Sequence, residues 1–258
     1  MTVREMHQSN RAAWNEAAAH YAEDLEGRIA FLRAGGANFC EAERPYLRDL
    51  GAWCRRAIHL QCAGGTDTLS LWNLGAQEVV GVDISEDMIA VARQKSDALD
   101  APARWFRCDI LDTPHELDGT ADLVYTGRGA LCWLHDMDGW ASVVARLLRS
   151  GGRLYVFEGH PLNWVWDGGA SEYRIDPTPG YGDYFSGTTG TEAYINEQTH
   201  GHERQWRLGA VLSALAGAGL RLEKFEEYPD QYHDFFPNIP ADLLRRLPHT
   251  FSLLMRKD

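Results

Sequence analysis

The chain has 258 residues, 45% apolar and 24% charged, with a formal net charge of −12. This suits one large α/β domain, or at most two small ones. It disfavours a nucleic-acid partner, because the acidic surface repels a phosphate backbone and the only dense basic clusters are Arg55-Arg56 and Arg245-Arg246. No apolar run approaches the roughly 18 residues of a membrane span, and residues 1–8 lack signal-peptide architecture. A cytoplasmic protein without a membrane partner is the expectation.

In chain order, residues 1–50 read as a helical cap, with Trp14, Ala18, Tyr21 and Leu25 at i, i+4, i+7 and i+11 on one helix face. Residues 51–158 alternate strands and helices. Ala57–Cys62 reads as a buried strand, Thr68–Leu74 as a helix ending at Gly75, and Glu78–Asp83 as a second strand. Ser85 caps the next helix, whose apolar face carries Met88, Ile89, Val91 and Ala92. Arg104–Cys108 and Ala121–Thr126 are further strands. A helix at about 137–149, with Asp136 as a candidate N-cap, stops at Gly151-Gly152 before a fifth strand, Arg153–Glu158. Such alternation implies βαβ units and a parallel sheet. Residues 159–203, rich in glycine, proline and aromatics, read as a functional insertion with some strand content. Regularity resumes over residues 204–258, with a helix at about 204–217 and strands near Leu220–Phe225 and Thr250–Met255, although Tyr228–Pro248 between those strands is again aromatic and irregular. One domain with inserted cap elements is the simplest organisation. The five cysteines, at 40, 54, 62, 108 and 132, are odd in number and form no CxxC pair, which argues against a disulfide framework or a zinc site.

Ligands of open α/β sheets bind beyond the carboxyl ends of the strands. After the first strand comes Cys62-Ala-Gly64-Gly65-Thr-Asp-Thr68, where small residues allow close backbone approach. The second strand ends in Asp83, whose carboxylate can accept both hydroxyls of a ribose diol. The third ends at Asp109, placed to accept from an adenine amino group, with Ile84 and Ile110 sandwiching the ring.

This order resembles the class I S-adenosylmethionine (SAM)-dependent methyltransferases over roughly residues 50–160. Gly-Val-Asp83-Ile-Ser-Glu-Asp-Met-Ile is similar to that family's second motif, and residues 147–154 to its approach to the fifth strand. Its first motif is an acidic residue followed by Gly-x-Gly-x-Gly. Here His59, Gln61, Ala63 and Gly65 stand at those positions, and the run resembles a subgroup with Leu-Gln-Cys-x-x-Gly-x-Asp-Thr-Leu. The resemblance implies a Rossmann-like seven-stranded, mostly parallel sheet with helices on both faces and an antiparallel last strand. It implies SAM as cofactor, S-adenosylhomocysteine (SAH) as product, and a cofactor site made of Gln61, Ala63, Gly64, Gly65, Thr68, Asp83, Ile84, Met88, Asp109, Ile110, Thr126 and Arg128. The loop Thr126-Gly-Arg128 after the fourth strand borders the sulfonium in that family.

Methyl transfer from SAM requires alignment and exclusion of water, and a base helps when the nucleophile is a hydroxyl or ammonium. His160, directly after the fifth strand, is the first candidate base, and His135 the second. No metal-ligand constellation is visible, so no metal is expected. The aromatic residues of the irregular segments suit a small-molecule acceptor pocket under a lid, with Trp14, Tyr21, Trp164 and Tyr184 as its candidate contacts. An insertion of this kind could also serve a homodimer interface. The alternatives are a non-catalytic SAM-binding protein and an NAD(P)-dependent enzyme, whose G-x-G-x-x-G the first loop does not supply.

Overall fold

A computed structural model describes residues 1–176, 184–187 (backbone only), 199 and 201–258. The chain begins with helices α1 (Val3–Glu23) and α2 (Leu25–Arg33) and the single turns α3 (Arg44–Leu47) and α4 (Leu50–Trp53). The alternating core follows as β1 (Arg56–Leu60), α5 (Thr66–Asn73), β2 (Glu78–Asp83), α6 (Glu86–Leu99), β3 (Ala103–Arg107), β4 (Ala121–Gly127), α7 (Met137–Leu147) and β5 (Leu148–Gly159). It ends with β6 (Tyr184–Gly187), β7 (Gly201–Arg204), α8 (Leu208–Gly217), β8 (Leu220–Tyr228), the turn α9 (Ala241–Leu244) and β9 (Thr250–Lys257).

Seven strands form one sheet in the order β3-β2-β1-β4-β5-β9-β8. The first five are parallel, and β9 runs antiparallel to both its neighbours. This is the expected Rossmann-like arrangement. Side chains alternate across each strand. Ile58, Leu60, Val80 and Val82 therefore face a core completed by Trp140 and Val144 of α7 and Leu215 of α8. Ala57, Val79, Leu123 and Tyr155 face the opposite core, with Leu47, Leu50 and Leu71. Strand order reverses between β1 and β4, and that reversal opens a crevice at their carboxyl ends.

Local signals position the elements around the crevice. Ser85 Oγ accepts the Met88 N–H (3.1 Å) to start α6, and Asp136 Oδ1 accepts the Gly139 N–H (2.8 Å) to start α7. Three boundaries differ from the sequence reading. Helix α1 stops at Glu23, so Leu25 falls on α2. The face that α1 buries carries His7 and Asn10 as well as Ala13, Ala17 and Ala18. Helix α7 ends at Leu147, because Leu148 already pairs with Ala121 in the β4–β5 ladder before an irregular step carries the register to Leu123 and Arg153. The helix expected from about 204 begins at Leu208. Gly201–Arg204 form β7, paired antiparallel with β6, which supplies the strand content expected of the insertion. Tyr184 lies on β6, but its side chain is outside the described residues, as are Tyr181, Tyr194 and His200. Among the described residues no helix is long and apolar enough to cross a membrane.

Candidate cofactor and acceptor site

A cavity of about 460 Å³ lies at the carboxyl ends of β1, β2, β3 and β4, a size typical of small-molecule sites. Its floor is the loop between β1 and α5. Gln61 (φ 57°), Ala63 (φ 44°) and Gly65 (φ 76°) all adopt left-handed backbone there. The loop thus bends at all three positions where the resembled motif carries glycine, although only one glycine is present. A non-glycine residue in this conformation costs about 1–2 kcal/mol, so the loop must be held. Ala63 N–H donates to Asp83 Oδ2 (2.8 Å), Gln61 Nε2 donates to the Ala130 carbonyl (2.6 Å), and buried Lys95 donates to the Gly64 carbonyl (2.7 Å) and Thr66 Oγ1 (3.0 Å). Burial lowers the Lys95 ammonium to about 8.

Asp83 sits half-buried at the cavity floor. Its Oδ1 accepts the Ser85 N–H (2.9 Å) and its Oδ2 the Ala63 N–H, which leaves each oxygen one further lone pair. Burial pushes its carboxyl up to about 6, against the opposing pull of the neighbouring amides. At the next strand end, Asp109 accepts the Leu111 N–H (3.0 Å) and His7 Nδ1 (2.8 Å), with Arg4 Nη1 3.1 Å away. Burial opposes its ionisation, but these donors hold its carboxyl below the usual range.

Most of the sequence-predicted residues meet at this cavity. Gln61, Ala63, Gly64 and Gly65 form the floor, Asp83 and Ile84 the second strand end, Asp109 and Ile110 the third, and Arg128 the fourth. Trp14 and Tyr21 of α1 close it from above. The other predicted residues stand back from it. Thr68 is fully buried behind the floor, with Oγ1 2.9 Å from His59 Nδ1, and burial lowers that imidazole to about 4. Met88 packs under α1 against Ala17 and Ala18. Thr126 Oγ1 donates to the Leu60 carbonyl (3.2 Å) between β1 and β4. Trp164 lies in a separate recess of about 60 Å³ that shares Gly129 and Tyr232 with the main cavity.

Neither predicted base lines the main cavity. His160 Nδ1 accepts the Leu162 N–H (3.1 Å), capping a 3₁₀ turn, and its Nε2 is 2.9 Å from Glu227 Oε1. His135 is buried with Nε2 3.1 Å from the His202 carbonyl, and burial lowers it to about 4. Sequence reasoning missed His7, Asn10, Asn38, Asp67 and Trp133, which also line the cavity. For His7 and Asn10 a signal existed, because they share a helix face with Trp14. Arg128, itself left-handed (φ 59°), is paired with Asp67 rather than lying on the surface. Burial opposes its charge, yet Asp67, Tyr125 and Glu43 keep the guanidinium more firmly protonated than usual.

A family model described as a methyltransferase domain matches residues 57–152. The chain is 30% identical over 187 residues to a demethylmenaquinone methyltransferase of Thermus thermophilus, covering 66% of this chain and 83% of the relative. The chain belongs to the SAM-dependent methyltransferases. A SAM-dependent methyltransferase structure from Mesorhizobium loti agrees with a TM-score of 0.62 at 25% identity, over 84% of this chain and 98% of that one. The geranyl diphosphate C-methyltransferase of Streptomyces coelicolor, solved with SAH, shares the fold at a TM-score of 0.57 and 16% identity, over 84% of this chain and 76% of that one.

The cavity of this methyltransferase fits SAM. Asp83 has free lone pairs for the ribose diol. Gln61 Oε1 and Arg128 Nε are buried without a hydrogen-bond partner among the described residues. When SAM is bound, the first would accept from the methionine ammonium and the second would donate to its carboxylate.

Two predictions follow from this geometry. Ribose hydroxyls favour the ionised form of Asp83, whose carboxyl titrates near 6 without ligand. SAH affinity is therefore expected to rise between about pH 5 and pH 7, by up to about tenfold, with proton release on binding and a plateau above. Calorimetry across that range checks this, and Asp83→Asn should flatten the profile. Ala63→Gly relieves left-handed strain, so it should raise the unfolding free energy by up to about 1 kcal/mol, the opposite of the usual Ala→Gly effect in a helix. Urea unfolding showing a loss instead would mean that the Ala63 methyl, packed against the α1 cluster, outweighs the strain.

Proposed function

We propose that the protein transfers a methyl group from SAM to a nitrogen or oxygen nucleophile of a small-molecule acceptor. The observation that carries this reading is that one cavity has two unlike walls. Strand ends supply polar groups for the cofactor, while Trp14, Tyr21, Trp133 and Leu134 supply an apolar wall for the body of an acceptor. Trp14 packs edge-on against Trp133 (5.3 Å between ring centres), which gives that wall a defined shape.

Bound SAM brings a methyl group already activated on a sulfonium, so the chain's task is to align the acceptor and exclude water. Helix α1 does the excluding. Arg11 bonds Glu86 (2.6 and 2.7 Å), Asn15 meets the Ser85 hydroxyl (2.6 Å), and Asn10 exchanges two hydrogen bonds with the backbone of His202 (2.6 and 2.9 Å). With neither His160 nor His135 lining the cavity, alignment is the proposed source of rate, and the nucleophile arrives already deprotonated.

The test is SAH release from the purified chain with a panel of amines, phenols and demethylmenaquinone, the last chosen because the Thermus relative is named for it. Turnover on a member of the amine or phenol arms supports the proposal. Turnover on demethylmenaquinone alone replaces it, and SAH binding without any turnover favours a non-catalytic SAM-binding protein. Among the described residues no group of three or more His, Cys, Asp or Glu side chains could hold a metal, and activity is expected to survive EDTA. With the acceptor so found, His160→Ala should lower kcat by less than about tenfold, against the 10²–10⁴-fold of a lost base. It should also cost stability, by about 0.5–2 kcal/mol for the lost cap.

A further inference from the structure

We infer that His7, on the N-terminal helix, reads the 6-amino edge of the cofactor's adenine, with Asp109 standing behind it as the residue that sets its tautomer. This inference rests on the cavity being the SAM site.

The argument starts from Asp109. Its two oxygens already receive the Leu111 amide, His7 Nδ1 and the nearby Arg4 guanidinium. An ionised carboxylate only accepts hydrogen bonds, so Nδ1 of His7 carries the proton. In the neutral ring Nε2 is then an acceptor. That atom is buried, and it has no hydrogen-bond partner among the described residues. His7 as a whole is only 4% exposed, yet it lines the cavity beside Asp109 and Ile110. A buried acceptor held in this way is a site for a donor. Of the groups SAM offers at this end, the adenine 6-amino is the donor. It has two N–H bonds, one for His7 Nε2 and one for the lone pair left on Asp109 Oδ1. Hypoxanthine carries an oxygen at the same position, so acceptor would face acceptor. A site built to receive a hydrogen bond rejects the analogue that lacks it.

The reading differs from one in which the strand-end carboxylate alone holds adenine. It makes α1 part of cofactor recognition, and it makes nucleobase discrimination depend on a residue 102 positions before Asp109.

The experiment is calorimetric titration of the full chain with SAH and with S-inosylhomocysteine, in wild type, His7→Phe, His7→Asn and Arg4→Ala. His7→Phe keeps the ring volume and removes both nitrogens. His7→Asn places an amide nitrogen where Nδ1 donates to Asp109 but does not reach the Nε2 position. Arg4→Ala weakens the same latch without touching Nε2. Both His7 variants are expected to bind SAH about tenfold more weakly or worse, the scale of one lost buried hydrogen bond. Both should also lose most of the preference for SAH over S-inosylhomocysteine, while Arg4→Ala keeps it. Circular dichroism melts identify any variant that has failed to fold, and the remaining His7 variant then decides. Equal weakening of both ligands in the His7 variants, or an intact preference, overturns the inference while leaving the cofactor site standing. Failure of the wild type to bind SAH overturns both.

Discussion

The Asp83 carboxylate joins two backbone segments on which the whole site depends. One oxygen holds the Ala63 amide in the β1–α5 loop, and the other holds the Ser85 amide at the start of α6. The first bond supports a left-handed alanine, the second a helix N-terminus. The carboxylate that the sequence marks as a ribose acceptor is therefore the same one that shapes the loop. The cost is visible in its titration, since burial raises the carboxyl to about 6. A strained loop persists only when its surroundings over-determine it. Here the Gln61 amide on Ala130 and the Lys95 ammonium on Gly64 complete that restraint.

The order of the core and its strand ends was legible in the sequence because their signals are local. Short, nearly continuous apolar runs mark β1, β2 and β4, Ser85 and Asp136 cap their own helices, and Asp83 ends one of those runs. The glycine-poor first loop was legible in position but not in conformation. Nothing in Gln61 or Ala63 announces a left-handed backbone, which is held by partners on β2, on the loop after β4 and on α6. The least legible features join distant parts of the chain. His160 looks like an exposed active-site residue until Glu227, 67 positions later, takes its Nε2. Arg128 looks free until the fold brings Asp67 to it. His7 and Asn10 share the α1 face of Trp14, but a polar residue on a helix face reads as solvent-facing unless its partner is known.

How α1 is attached bears on what the cavity can do. The apolar residues it buries fully are alanines, Ala13, Ala17 and Ala18, which remove little surface from water. Half-buried Trp14 and Tyr21 add apolar contact, Trp14 against Trp133. The rest of its grip is polar, through Arg4 and His7 on Asp109, Asn10 on His202, Arg11 on Glu86, and Asn15 on Ser85. Each such pair is worth about 0.5–1.5 kcal/mol net, because water replaces the partner when the helix lifts. Three of its anchors, Asp109, Glu86 and Ser85, lie just beyond the ends of β2 and β3. A ligand that engages those strand ends would draw on the same groups that dock the helix, and neither could change without the other registering it.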